Sequence, residues 1–375
     1  MPFIPHDLRR GGAAAVFVLC LLWAGAYAAE SDRSVVLDVS PTLVSLHVKD
    51  AEQRAVLVEL GRQAGCYFAA NPPELFAADR PRVSLDIAKA PFWTVMKQVC
   101  EKTSLYPSYL ERQSYTLSGG SRGWMDGPSV VSGAFLVVAS QAVRVDSLRF
   151  AEPDVKIRDA AIGLVVLPEP KLRVLRGTKH PRLEKVLDEK GRSLIGDAAV
   201  ADGGLVGGGP FAWNVEIKLP AAASATRISL LKGQCRYLVA NSCLRWEIPD
   251  ILKVANATKT AGGRTCRIIS VHKDVNRGVE QVSVTLGITS TGRDVLGQIV
   301  HPAGIELCDA EGRPYRFRGW TRIIDRTPPE YAFHFSRLAE GDGPMPGEPA
   351  KLTWDIITGA EEVAVPFEFK DLPLP

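Results

Sequence analysis

Beyond residue 28, the side chains best suited to acid–base or metal chemistry are the histidines at 47, 180, 272, 301 and 334, and each stands alone in the sequence. A zinc-protease helix needs H-E-x-x-H and many metal sites use H-x-H; neither spacing occurs. Glu361-Glu362 and Asp188-Glu189 are adjacent carboxylates, but neighbours on a strand face opposite sides and cannot serve one substrate as acid and base. Residues 119–123, G-G-S-R-G, fit the G-x-S-x-G elbow that presents a nucleophilic serine at a strand-to-helix turn. W-M-D-G-P follows, and Gly-Pro cannot open that helix. Gly203, Gly204, Gly207, Gly208 and Gly209 lack the Lys-Ser/Thr that completes a phosphate loop. The expectation is no catalytic residue, no cofactor and no metal site. One alternative stays open, a hydrolase pocket gathering His272, His301 or His334 with Asp and Ser from separate strands.

The elements that would carry such residues fall into a front and a rear. In the rear, a D-x-x-G-R motif occurs twice: Asp188, Gly191 and Arg192, then Asp309, Gly312 and Arg313, an offset of 121 from 188 to 309. Asp caps a turn, Gly takes positive φ, and Arg resumes the strand, so the motif reads as a hairpin turn; a ligand role for Asp and Arg is the alternative. Aromatic-rich strands follow both copies, FAWNV at 211–215 and YAFHF at 331–335. This spacing predicts two β-sandwich (Ig-like) domains, at 131–250 and 251–375. Residues 350–369 read as two strands joined around 358–360, and Pro366 marks an edge strand because it cannot donate to a ladder.

The front holds two matched strand-helix units. Residues 44–50 (VSLHVKD) lead into a helix expected to start after Asp50 as N-cap and stop before Gly65, with a buried stripe of Ala55, Val56, Leu57, Leu60 and Ala64. Residues 83–91 (VSLDIAKAP) lead into a helix with Pro91 in its first turn, a stripe of Phe92, Val95, Met96, Val99 and Cys100, and an end near Thr103. Residues 106–110 and 114–117 close as a hairpin. The fold class expected is α+β: a small βαββαβ module over 30–118, a linker at 119–130, then the two sandwiches.

D-A-x-x-x-x-V-L-x-x-L-x-x-Q-A-G at 50–65 and V-S-L-D-I-x-x-A-P-F-W-x-V-M at 83–96 resemble the short N-terminal domain shared by secretins and TonB-dependent receptors. The resemblance covers residues 40–120. It implies a small periplasmic module that contacts partner proteins. No alternating barrel strands or secretin pore region follow, so it implies neither transport nor secretion.

The first residues are built like a secretory signal: Arg9 and Arg10, an apolar run at 13–23, then Ala26-Tyr27-Ala28 as a cleavage site at the end of a 1–28 leader. That run is short for a bilayer, which takes about 20 residues, so no stable membrane span is expected after cleavage; retention as an anchor is the alternative. Six cysteines follow the leader, at 66, 100, 235, 243, 266 and 308, an even number that permits disulfides in an exported chain. Cys66 and Cys100 can bridge the front halves or sit as buried thiols; no C-x-x-C is present. The length of 375 residues suits two or three domains, and a net charge of +3 with no basic tract points away from nucleic acid. These readings converge on an exported, periplasmic cell-envelope protein, not an enzyme, whose N-terminal module binds envelope proteins. The alternative is a carbohydrate- or polymer-binding sandwich using Trp246, Tyr315, Trp320 and Tyr331 as a platform.

Overall fold

The structure is a computed structural model that describes residues 33–77, 80–111, 114–120, 127–150, 152–195, 203–206, 212–219, 225–276, 278–290, 304–323, 326, 328, 330–338 and 344–375. The expected leader, His301 and positions 121–123 of the G-x-S-x-G stretch lie outside the described residues.

The α+β class is overturned. Among the described residues, strands make up 66% and helix 12%, with two α-helices. In the front the elements are β1 (Arg33–Val36), β2 (Leu43–Ala51), α1 (Gln53–Ala64), β3 (Tyr67–Asn71), β4 (Val83–Pro91), α2 (Phe92–Thr103), β5 (Leu105–Glu111) and β6 (Ser114–Gly119). The front strands β2 to β6 fall into two small sheets. β2 pairs antiparallel with β4, while β3, β6 and β5 form a separate three-stranded sheet in which β3 and β6 run parallel. The front does not close on itself, since its core (Leu57, Leu60, Trp93, Met96, Tyr115) continues into Leu136, Val138 and Leu167 of the following strands. Two short helices covering part of a β structure do not make an α+β layer.

Helix boundaries follow local chemistry. α1 ends where Gly65 takes φ +64° and its N–H returns to the last turn. Its start differs from expectation: Glu52, not Asp50, is the N-cap. Asp50 stays in β2 at φ +49°, and its N–H donates to the Ser84 hydroxyl at 2.9 Å. α2 follows Pro91 directly and ends at Thr103, with Phe92, Trp93, Val95, Met96 and Val99 buried at helical spacing.

The rear comprises β7 (Ser129–Ser132), β8 (Phe135–Arg149), β9 (Glu152–Pro168), β10 (Val174–His180), β11 (Arg182–Asp188), β12 (Gly203–Val206), β13 (Trp213–Leu219), β14 (Arg227–Pro249), β15 (Thr258–Ala261), β16 (Arg264–Asn276), β17 (Val279–Ser290), β18 (Ile305–Asp309), β19 (Arg316–Ile323), β20 (Glu330–Ser336) and β21 (Pro349–Pro373). One sheet runs β12-β10-β14-β21-β18, with β11 and β1 also on β14. A second runs β13-β9-β8-β7 and a third β15-β16-β17-β20-β19.

The long strands tie these sheets together. β14 and β21 pair antiparallel from Arg227↔Pro373 to Pro249↔Lys351. Ile228, Leu231, Cys235 and Tyr237 of β14 share one core with Val365, Phe367 and Phe369 of β21. Further along, Ile248 of β14 shares another with Leu352, Trp354 and Ile356 of β21. Each strand therefore crosses from one sandwich core to the other. This corrects the expected break at 358–360, because β21 passes through it unbroken. Gly359 there faces the register shift at Ala240/Ser242, and a side chain would collide with Ser242. The glycine serves close approach, not a turn.

The two halves repeat. Val186, Leu187 and Asp188 pair with Leu231, Leu230 and Ile228; Leu307, Cys308 and Asp309 pair with Leu352, Lys351 and Pro349. Every residue lies 121 positions from its counterpart, and both ladders shift register just before the Asp. With that offset, the pairs Val239↔Glu361 and Ala240↔Ala360 straddle a pseudo-two-fold axis between β14 and β21.

Candidate functional site

The front has an unpaired sheet edge among the described residues. β3 pairs with β6 on one side, and among the described residues no strand lies on its other side. An unpaired edge offers donors and acceptors to an incoming segment. Tyr67, at the start of β3, is 68% exposed, and Val58 on the outer face of α1 is 64% exposed. Across β2 and β4, His47 Nδ1 lies 2.6 Å from Asp86 Oδ1, both well exposed. A surface pair of this kind contributes little to stability.

Two further front features are polar but poor in chemistry. A cavity of about 290 Å³ lies between the start of α1 and the end of α2, lined by Gln53, Pro72, Leu75, Arg80, Thr103 and Ser104 among others. Among the described residues its lining has no carboxylate, thiol or histidine. Where the front meets the first sandwich, Glu169 is buried and accepts the Thr42 N–H at 3.0 and 3.2 Å. Burial raises its pKa, and the Thr42 bonds and Lys171 only partly offset that. Burial and the nearby Glu169 push the Cys66 thiol up to about 12, far from a reactive thiolate.

In the rear, the D-x-x-G-R residues form two superposable turns. Asp188 accepts the N–H groups of Lys190 (2.9 Å) and Arg192 (2.8 Å) on Oδ1 and the Arg192 guanidinium on Oδ2 at 2.6 Å. Asp309 accepts Glu311 (3.1 Å), Arg313 (2.8 Å) and the Arg313 guanidinium (2.5 Å) in the same way. Gly191 and Gly312 sit at φ +76° and +79°. Asp309 also accepts the Gly347 N–H at 2.6 Å. Burial works against ionising Asp309, but the Gly347 and Arg313 bonds outweigh it and hold the carboxyl at about 2. These bonds are the work of a turn: three hold Asp188, and four hold Asp309, the fourth coming from Gly347 outside the loop.

An ionic cluster links β14 and β21, with Asp355 and Arg173 buried and Arg245 42% exposed. Asp355 on β21 takes Arg245 of β14 at 2.8 and 2.9 Å and Arg173 at 2.6 Å, while Arg173 also reaches the Cys243 sulfur at 3.7 Å. Burial raises the Asp355 carboxyl, yet the two guanidiniums together keep it below the usual range. Sequence reading misses this cluster and Glu169, because the partners are 182 and 127 positions apart and share no motif.

Two of the remaining candidate histidines meet at one serine. His334 Nδ1 lies 2.9 Å from Ser283 Oγ, on neighbouring strands of a sheet. His272 pairs with Ser283 in the ladder from the other side. Among the described residues no group of His, Cys, Asp or Glu is arranged to hold a metal ion. Of the four platform aromatics, Tyr315 and Tyr331 are buried, Trp246 is partly buried against Trp354, and Trp320 is 44% exposed. Three exposed coplanar rings do not form. Cys66 and Cys100 are both buried thiols, Cys66 beside β3 and Cys100 on α2. Among the described residues no helix is long and apolar enough to cross a membrane. Comparison with known proteins yields no relative: no family model, curated protein or solved structure matches the chain.

Proposed function

We propose that the chain is an exported, periplasmic cell-envelope protein that binds a protein partner through its front and carries out no chemistry of its own. The observation that carries this is the unpaired edge of β3 with Tyr67 beside it. An extended segment laid along β3 gains main-chain hydrogen bonds, and the Tyr67 ring gives it an apolar contact. The resemblance of residues 40–120 to the short N-terminal domain of secretins and TonB-dependent receptors supports the same reading. The two sandwiches, locked together by β14 and β21, serve as a rigid support.

The test is affinity capture from envelope extract by the full chain and by Tyr67→Asp. The whole chain is needed because the front shares its core with Leu136, Val138 and Leu167. A protein retained by the native chain and lost with the variant is the expected result. Equal retention by both, or none by either, refutes the reading.

A further inference from the structure

The internal repeat exposes a difference between its halves. β13 and β20 are counterparts: each precedes its long strand, β14 or β21, and each pairs with the matching strand, β9 or β17. The other edge of β20 is covered by β19, which follows the second D-x-x-G-R turn. β12 follows the first turn, but it pairs with β10 instead. Among the described residues, no strand covers the outer edge of β13.

The β13 sequence is WNVEIKL. Trp213, Val215, Ile217 and Leu219 face the core and are 5% exposed or less, while Asn214, Glu216 and Lys218 point outward. At the Trp213 end β10 crosses close by, since a side chain on Gly177 would strike the indole. Towards the other end the Glu216 and Lys218 side chains are 60% and 74% exposed. Those two charges are 3.9 Å apart within one strand, too far for a good hydrogen bond.

An antiparallel copy of the same strand fits this edge in one register. Centred on Ile217, each Glu216 stands opposite the Lys218 of the other copy, and Val215 stands opposite Leu219. Centring on Glu216 or Lys218 places like charges opposite each other, and centring on Val215 leaves Lys218 beyond any acidic partner. Directly opposed charges of opposite sign stabilise a strand pair and like charges weaken it. We propose that the chain forms a two-fold dimer in which β13 pairs antiparallel with β13 of a second copy, centred on Ile217. The two four-stranded sheets then join into one, and the same patch serves both partners, as an isologous interface requires.

Sedimentation equilibrium of the full chain tests this with a charge swap. Glu216 and Lys218 are exposed, so Glu216→Lys and Lys218→Glu leave the fold intact, as circular dichroism checks. The native chain is expected to dimerise; each single variant weakens the dimer by roughly tenfold or more at low salt, and the double variant Glu216→Lys/Lys218→Glu restores it. A chain that stays monomeric, a dimer indifferent to the single variants, or a double variant that stays weak overturns the proposal.

Discussion

Asp188 and Asp309 lie 121 positions apart and close the same turn with the same three groups of their own loops. They differ in one bond, the Gly347 N–H that Asp309 alone accepts, which ties its turn to the segment leading into β21. Asp309→Ala leaves a buried set of donors unmatched and is expected to cost about 2–4 kcal/mol, more than Asp188→Ala. Because the folded pKa of Asp309 is depressed to about 2, its stabilisation is present above the unfolded value and is lost as pH falls from about 4 towards 2. Urea unfolding of both variants across that range checks the order and the sign.

The turn was legible in sequence because its chemistry is local. Asp, Gly and Arg within five positions are enough to write it, and writing it twice signals a repeat. The helix stripes were legible for the same reason, except that Ala55, read as part of the first, is exposed. What could not be read was where strands stop and which sheet they join. Thr358-Gly359-Ala360 has the composition of a turn, yet its glycine lets β21 pass close over Ser242. The front pattern suggested one closed α+β module, but Leu136 and Val138 carry no local sign that one face of their strand belongs to the front core.

That shared core sets a second prediction. Leu136 is fully buried between the front and the first sandwich, so Leu136→Ala is expected to cost about 2–5 kcal/mol. Residues 33–120 expressed alone should lack a cooperative unfolding transition. A sharp thermal transition for that fragment, matched by near-native stability of Leu136→Ala, contradicts the shared core.

The Arg173–Asp355–Arg245 cluster joins three segments at the crossing of the long strands. Removing the one anion leaves two guanidiniums facing each other, and Asp355→Ala is expected to cost about 3–5 kcal/mol. Its depressed pKa means this contribution holds at neutral pH and fades in acid, below the ordinary carboxylate range. Chemical denaturation at neutral and acid pH separates this effect from simple cavity formation, which does not depend on pH.

Glu169 has the opposite sign. Its folded pKa is raised by burial, with Lys171 and the Thr42 N–H opposing and Asp38 adding to the rise. The fold therefore favours the protonated acid: that contribution is complete below the unfolded value and is lost as pH rises through the folded one. Glu169→Gln should flatten this limb of the stability profile and leave the native chain the less stable of the two at neutral pH. Thermal melts in a pH series decide it, and an unchanged profile contradicts the assignment.

The central claim, that the front edge is where a partner docks, is tested most directly by placing a photo-crosslinking residue at position 67 in the living cell, with position 260 on β15 as the control. A discrete protein adduct from position 67 and none from position 260 is the expected outcome. Adducts of the same pattern from both positions, or none from position 67, contradict the claim.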